Sequence, residues 1–352
     1  MDSLYLAASG MVTSVGSNTL MTNASVKAGI SAYSDSEFLS SDKQLIKSAS
    51  VPSQFLDQID SDIEEGAIYS NLYDRLLKMS IDSIRQALSD LNTDARIPIV
   101  LALHESRPDV HCDIPNELLY QNIPSQKGFP CHRDVLRPLK MGRAGGMHAI
   151  TDAIRYVTSY AIPYVLSVGC DSFYDFKLIR YLDKHNRLLT NSKMNGFVCG
   201  EAAGALLLTP HKHLALVDNG HVISIRDAGL SHEENYLNSG RANKGEALDL
   251  AFKKVLREPD RIQTIYSTMN GERFWSKEFG VAMIRNKHFF VEDPVIHHPA
   301  EYLGDIGSAS SSVFIALAAQ ELLQSNQLSQ TLVYASSDTH ARGATVLTKE
   351  RI

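Results

Sequence analysis

The sequence has few cysteines and no long uninterrupted apolar run. Its 352 residues include only four cysteines, none in a CxxC pair and none at a metal-ligand spacing from two histidines. We therefore expect reduced thiols, no structural zinc and no disulfide framework. No stretch approaches the 18 or so uninterrupted apolar residues that a membrane-spanning helix needs, so no membrane span is predicted.

An excess of basic charge is also absent. Lysine and arginine number 34 against 40 aspartates and glutamates, which gives a net charge of −6, and no basic block occurs. This balance argues against nucleic acid or an anionic membrane as a partner. Neither a Walker loop nor a GxGxxG motif occurs, so no cofactor is predicted. The N-terminal MDSLYLAASGMVTSVG lacks the basic region of a signal peptide, which favours a cytoplasmic location.

What the chain does contain is an alternation of short apolar runs with amphipathic helical patterns, which predicts an α/β protein around a largely parallel sheet. One helical pattern is apolar on every side in its middle turns, so it must be buried, and the fold must have more than two layers. The predicted helices are Leu72–Leu88, Met147–Tyr160 and the fully apolar Ala309–Leu323. The predicted strands are Ile97–Leu103, Tyr164–Gly169, Gly204–Leu208, His221–Ile225, Gln263–Ser267 and Thr331–Ala335.

The chain divides near residues 209–220, where turn residues separate two strand-like runs. Each side of this division holds one helix that begins with small residues, GRAGGMHAI at 142–150 and GDIGSASSSVF at 304–314. We therefore predict two related halves, residues 1–208 and 209–352.

Five segments carry a family resemblance. They match, in order and in rough spacing, the β-ketoacyl-ACP synthase branch of the thiolase superfamily, and together they cover nearly the whole chain. The resemblance implies a thiolase-like five-layer α/β/α/β/α fold of two similar halves, usually a homodimer. The segments are GMVTSVG at 10–16, MHAITDAI at 147–154, SVGCDSF at 167–173, LGDIGSAS at 303–310 and, most specific of all, NGFVCGEAAGALLL at 195–208.

The family's chemistry, as the resemblance implies it, is decarboxylative Claisen condensation between an acyl thioester and a malonyl thioester on acyl carrier protein. Its machinery is a cysteine at the N-terminus of a buried helix, two histidines, and a lysine near the second histidine. The helix terminus lowers the thiol pKa, and the histidines stabilise charge on the enolate and the carbonyl oxygen.

Two of these positions can be aligned firmly, and both are substituted. His148 fixes the register of the first helix, which places Arg143 at the nucleophile position. A guanidinium stays protonated and cannot attack a thioester. The first family histidine precedes a glycine at a strand end, and Asn270 stands there, before Gly271.

The remaining elements are substituted as well. Counting back from Gly307 places Gly304 at the second histidine and Pro299 at the lysine, although a slip of several residues would bring in His297 or His298. The family's C-terminal gate with two phenylalanines is replaced by SSDTHARGATVL at 336–347. The sequence therefore predicts a degenerate member without the catalytic Cys-His-His set.

Arg143 itself raises a physical problem, because a cation is unfavourable at the positive end of a helix dipole and costly when buried alone. We expect its guanidinium to pair with a carboxylate or with carbonyl groups, and neighbouring side chains to fill the former acyl tunnel. The alternative is that it reaches a dimer or partner surface. The resemblance also places Val135–Leu139 at or near a two-fold interface.

Another cysteine would have to replace the nucleophile if the chain were still active. Cys199, beside Gly200 and Glu201, is the candidate, although a small buried residue is the simpler interpretation. Cys170 follows a strand and is expected in the core, and Cys131-His132 lies in a loop-like stretch.

Three functions follow from these observations. The first is a catalytically silent ketosynthase-like scaffold, adaptor or co-chaperone, with a secretion effector or adaptor as its protein partner. Its preferred setting is effector loading by a bacterial secretion system, type VI included. The other setting is a polyketide synthase, in which the chain would be a partner subunit. The second is an active 3-oxoacyl-ACP synthase or acyltransferase of fatty acid or polyketide synthesis with a relocated nucleophile. The third is a non-catalytic acyl- or carrier-binding subunit, in which Arg143 meets a carboxylate or phosphate of a ligand on acyl carrier protein.

Overall fold

The computed structural model describes residues 3–56, 71–93, 95–105, 116–126, 129 and 137–352. The elements before residue 210 are β1 Ser3–Thr13, α1 Thr19–Lys27, β2 Ser34–Leu39, β3 Leu45–Ala49, α2 Ser53–Leu56, α3 Asn71–Leu88, β4 Ile99–Leu103, α4 Asn116–Ser125, β5 Arg137–Lys140, α5 Gly145–Tyr160, β6 Val165–Ser172, α6 Phe176–Lys184 and β7 Cys199–Thr209. Those after it are β8 His221–Arg226, β9 Gly229–His232, α7 Glu246–Val255, β10 Ile262–Ser267, α8 Arg273–Arg285, β11 Phe290–His297, α9 Ala300–Leu303, α10 Ser310–Gln324, β12 Gln330–Ser336 and β13 Ala341–Arg351.

All nine elements predicted from the sequence are present. Each predicted strand overlaps β4, β6, β7, β8, β10 or β12, and the predicted helices overlap α3, α5 and α10. The largest difference is at β7, which begins at Cys199 rather than Gly204. Its first five residues, CGEAA, lack the β-branched and aromatic side chains that are typical of a strand.

The strand order repeats between the two parts of the chain. In the first part it runs β5-β4-β6-β7-β1, and in the second β11-β10-β12-β13-β8, so corresponding strands take corresponding places. An antiparallel pairing of Ser3–Tyr5 in β1 with Ser224–Arg226 in β8 joins the two. This repeat supports the predicted division into residues 1–208 and 209–352, which stays a prediction.

The sheet is mixed, so the expectation of a largely parallel sheet was wrong. β4 pairs in parallel with β5 and β6, but β7 runs antiparallel to both β6 and β1. The second part repeats this: β10 is parallel to β11 and β12, whereas β13 is antiparallel to β12 and β8. A connection as short as the one between β12 and β13 can only join antiparallel strands.

The predicted five-layer α/β/α/β/α arrangement is confirmed. Helices α5 and α10 form the middle layer and pack against strands of both parts, with α10 buried along most of its length. α3 and α4 cover the outer face of the first part, and α7 and α8 cover that of the second. In the described part of the chain, no helix is long and apolar enough to cross a membrane.

Small residues let the two middle helices begin side by side. A Cβ on Gly146 would lie 2.5 Å from the Cβ of Ser311, so only glycine fits there. The hydroxyl of Ser311 donates to the carbonyl oxygen of Arg143 at 2.6 Å. The two small-residue segments found in the sequence are therefore the contact that brings the starts of α5 and α10 together.

Candidate functional site

The starts of α5 and α10 converge on a buried arginine. Arg143 lies in a 3₁₀ turn just before α5 and is only 2% exposed. Its Nε donates to both carboxylate oxygens of Asp305 at 3.0 Å, and Nη2 also binds Asp305. Its Nη1 donates to Asp338 Oδ1 at 2.9 Å and to the carbonyl oxygen of Ser336 at 3.2 Å. The expected pairing of Arg143 with carboxylates and a carbonyl group is thus observed.

A second buried arginine extends this arrangement. Arg187 donates from Nε and Nη2 to the two oxygens of Glu272 at 2.7 and 2.8 Å, and from Nη1 to Asp338. Asn270 connects the two pairs, because its Nδ2 donates to Asp305 Oδ2 at 2.8 Å and to Glu272 Oε2 at 3.1 Å. We call these six residues the arginine–carboxylate cluster: Arg143, Arg187, Asn270, Glu272, Asp305 and Asp338.

The positive and negative residues of the cluster come from different parts of the chain. Both arginines come from the first part of the chain, and the three carboxylates come from the second. Burial opposes the charge on Arg143, but Asp305 and Asp338 outweigh it and raise the pKa of the guanidinium. Burial likewise disfavours the charge on Asp305, yet Arg143 and the amide of Asn270 lower the pKa of that carboxyl. The cluster is therefore an ionised bridge between the two parts.

Trp275 covers the cluster on one side. Its indole Nε1 donates to Glu272 Oε2 at 3.0 Å, and the guanidinium carbon of Arg143 lies 5.0 Å from the ring centroid. A third guanidinium, that of the fully buried Arg342, lies 5.6 Å from the same ring and pairs with Glu278 at 2.8 Å. These cation–π contacts add to the pairing in a desolvated setting.

The structure brings together some of the predicted site residues and not others. Arg143 and Asn270 meet through Asp305. Gly304 has a positive φ of 69° and contributes no side chain, and Pro299 precedes the short helix α9. The side chain that enters the cluster at this place is that of Asp305, one residue after Gly304, which the sequence analysis did not single out.

Neither histidine of the 297–298 pair has a hydrogen bond to a cluster residue in the described part of the chain. The ring of His297 lies 4.6 Å from that of Tyr266, and its Nε2 is 3.0 Å from Glu321 Oε1. His298 lines a neighbouring pocket. The two histidines are therefore not part of the arginine–carboxylate cluster, and the register at Gly304 stays a prediction.

Four cluster members were missed from the sequence: Arg187, Glu272, Asp305 and Asp338. Two signals pointed toward two of them, Asp305 and Asp338. Gly304 is followed directly by an acidic residue, and the segment that replaces the family gate contains Asp338. Since a buried arginine needs a carboxylate, an acid at either place was a candidate partner.

Both cysteines of the described residues, Cys170 and Cys199, are buried. Cys199 is 3% exposed and lies in an apolar cluster with Ile46, Phe173 and Phe197. Its backbone bridges to Asp305, so it is near the cluster in the fold but packed away from solvent. Cys170 is buried as well, and burial raises the pKa of its thiol. Cys112 and the Cys131-His132 pair lie outside the described residues.

A pocket of about 380 Å³ opens beside the cluster. Of the cluster residues, Asn270 alone lines it, together with Tyr33, Met194, Val198 and His298. Arg143 does not reach this pocket, since its guanidinium is held behind Asn270 by Asp305 and Asp338. Among the described residues, no group of three or more histidine, cysteine or acidic side chains could hold a metal ion.

Comparison with solved structures finds proteins of similar fold. The ishigamide ketosynthase/chain length factor matches with a TM-score of 0.76 at 15% identity, over 99% of both chains. A type II PKS acyl-carrier protein in complex with its ketosynthase, bound to the hexaketide, matches with 0.76 at 13% identity, also over 99% of both. A β-ketoacyl synthase from Burkholderia phymatum STM815 matches with 0.72 at 14% identity over the full length of both.

These similarities confirm the thiolase-like fold of the ketosynthase type that the sequence predicted. At such identities they show the fold alone. No protein-family model and no curated protein matches the chain.

Proposed function

We propose that this chain is a catalytically silent ketosynthase-like protein that serves as a non-catalytic partner in a protein assembly. The observation that carries this proposal is the arginine–carboxylate cluster. Arg143 stands at the start of the buried helix where the family resemblance implies a nucleophilic cysteine, and Asp305 and Asp338 hold it there.

Condensation needs a thiolate and donors that stabilise an enolate. Arg143 cannot lose a proton to become a nucleophile. Asn270 already donates both amide hydrogens to the carboxylates of Glu272 and Asp305. Excess negative charge from such carboxylates would also disfavour an enolate nearby. The site is thus built to hold two parts of the chain together rather than to stabilise a developing anion.

The two alternatives have less support. An active enzyme with Cys199 as nucleophile would require a thiol that is buried in an apolar cluster to meet a thioester. An acyl- or carrier-binding role for Arg143 would require a guanidinium with a vacant donor face, but its three nitrogens all donate to Asp305, Asp338 or Ser336.

Within the proposed class, a subunit like a chain length factor is the better-supported setting. Solved structures of similar fold include a ketosynthase/chain length factor and a ketosynthase in complex with its acyl-carrier protein. We extend to this chain only the idea of a ketosynthase or carrier partner in the cytoplasm. A role in loading secretion effectors stays a prediction that no observation favours, and a homodimeric state stays a prediction as well.

Mass spectrometry of the intact protein tests the loss of chemistry. After incubation with acetyl- and malonyl-thioesters of acyl carrier protein, we expect no acyl adduct, because no exposed nucleophile stands in the described site. A catalytic β-ketoacyl synthase serves as the positive control. An adduct on wild type that is absent from Cys199→Ala would refute the proposal and support the relocated nucleophile.

A further inference from the structure

The surface around α6 is not part of the arginine–carboxylate cluster and has an unusual charge for this chain. Buried residues Leu178, Ile179 and Leu182 anchor the helix to the core. Lys177, Arg180 and Lys184 are exposed, and their spacing of three and four places them along one face of the helix.

These side chains line a concavity of about 850 Å³, together with Ser41 and His185. Asp183 is the single carboxylate among its lining residues, and that carboxylate is already engaged. Its Oδ2 accepts from the backbone N–H of Ser41 at 2.7 Å and its Oδ1 lies 3.3 Å from the ammonium of Lys193.

The cations at the centre of this concavity are available to a partner. Arg180 and Lys184 form no ion pair within the described part of the chain. On a protein whose net charge is −6, these two residues form a local concentration of positive charge, and Asp183, the carboxylate among the lining residues, is already paired with Lys193.

An exposed apolar pair adjoins this basic concavity. Leu39 and Leu45 face each other across the β2–β3 hairpin and are 54% and 48% exposed. The chain passes from Leu39 through Ser40 directly to Ser41 in the concavity wall. A single exposed leucine needs no explanation, but a cross-strand pair beside Arg180 and Lys184 combines the apolar anchor and polar rim of a protein-binding surface.

We propose that α6 and the β2–β3 hairpin form a docking surface for an acidic segment of a partner protein. The carboxylates of the segment lie on Arg180 and Lys184, and an apolar side chain covers Leu39 and Leu45. This proposal rests on the proposed function, since it names the surface through which a non-catalytic subunit would meet its partner.

Charge around the leucine pair favours a protein over a bilayer or a nucleic acid. Glu37 is exposed on β2, and Asp42, half exposed, follows Ser41 and pairs with Lys193 at 3.4 Å. A bilayer or a nucleic acid presents phosphates over its whole length and would meet these carboxylates as well. A peptide segment can place its acids on α6 alone.

The test uses the full chain and a synthetic amphipathic helical peptide that carries glutamates on one face and leucines beside them. We expect Arg180→Glu/Lys184→Glu to weaken peptide binding about tenfold or more, since charge complementarity becomes repulsion. The matched control is Arg273→Glu/Lys277→Glu, which changes the same charge at the same spacing on exposed positions of α8. It should change the affinity by less than about twofold, because neither residue lines the concavity and exposed charges are screened by salt.

A second variant, Leu39→Ser/Leu45→Ser, keeps every charge and should weaken binding through the lost apolar contact. The proposal is wrong if the peptide does not bind, if the α8 control weakens binding as much as the α6 variant, or if phosphatidylserine vesicles or a single-stranded oligonucleotide bind better than the peptide. Acyl transfer measured on the same preparations separates the two proposals. Acyl transfer by the protein would refute the proposed loss of catalysis but would not bear on the docking surface. Failure of the peptide to bind would refute the docking surface alone.

Discussion

Arg143 pairs with Asp305 and Asp338 in a buried site, so its removal would leave Asp305 without a cation and Asp338 with Arg187 as its remaining arginine. We expect Arg143→Ala to lower the free energy of unfolding by about 3–5 kcal/mol, the usual cost of breaking a buried ion pair on one side. Arg155→Ala is the control from the adjoining helix α5, since the side chain of Arg155 is largely exposed where it pairs with Asp152. It should cost less than about 1 kcal/mol. Urea unfolding compares them, and equal losses would contradict the buried bridge.

Asp305 gives the bridge a pH dependence with a definite sign. Burial would raise the pKa of this carboxyl, but Arg143 and Asn270 lower it below its ordinary value of 3.8. Its contribution to stability is therefore complete above pH 3.8 and is lost as the pH falls through the lower folded-state pKa. We expect Asp305→Asn to reduce the fall in stability on acidification below about pH 4. Asp293→Asn, at an exposed position of β11, is the control, and an equal reduction there would contradict this origin.

For single residues, the sequence predicts that Arg143 replaces the nucleophile but does not predict which side chains pair with it. Arg143 could be placed by the register of α5, and Asn270 by the strand end before Gly271. Asp305 and Asp338 lie 162 and 195 residues from Arg143, and only the fold brings them to it. Because an unpaired buried charge is costly, a buried arginine is expected to have a carboxylate partner. The sequence does not show which of the 40 acidic residues provides it.

Among the elements, the contact between α5 and α10 depends on a glycine. A Cβ on Gly146 would lie 2.5 Å from the Cβ of Ser311, so Gly146→Ala should separate the helices and cost about 1–3 kcal/mol through overpacking. Gly280→Ala, in α8, is the matched control, because nothing lies within 4 Å of its added Cβ. It should stabilise by about 0.4–1 kcal/mol through helix propensity and reduced freedom of the unfolded chain. Thermal unfolding distinguishes them, and a neutral Gly146→Ala would contradict the close packing.

Several buried elements were predictable, whereas the edge strands β5 and β11 were not. β4, β6, β7 and α10 are apolar runs whose side chains face the core, so composition alone marks them. The edge strands β5 and β11 contain proline and charged residues, which protect an open edge but hide the strand pattern. The antiparallel direction of β7 depends on its pairing with strands that are distant in the chain, and the hydrophobic pattern of β7 itself does not predict that direction.

For the whole molecule, the open edge of β5 supports the expected dimer. Among the described strands, β5 pairs only with β4, so its other edge can meet a second chain. Residues 137–139 of the predicted interface belong to this strand, whereas Val135 lies outside the described residues. We expect light scattering to give about twice the chain mass of 38.9 kDa at micromolar concentration. A monodisperse monomer without a partner would count against the dimer.

The central claim, that the ion bridge occupies the place of the chemistry, is tested most directly by carbon dioxide release from malonyl-acyl carrier protein. Decarboxylation is the part of the family reaction that could survive without a nucleophile, so it is the most sensitive sign of residual catalysis. We predict that wild-type protein releases carbon dioxide no faster than a heat-denatured sample, and that Arg143→Cys does not restore release, since Asn270 and Asp305 remain. Release above that background by the wild type, lost in Asn270→Ala, would contradict the account.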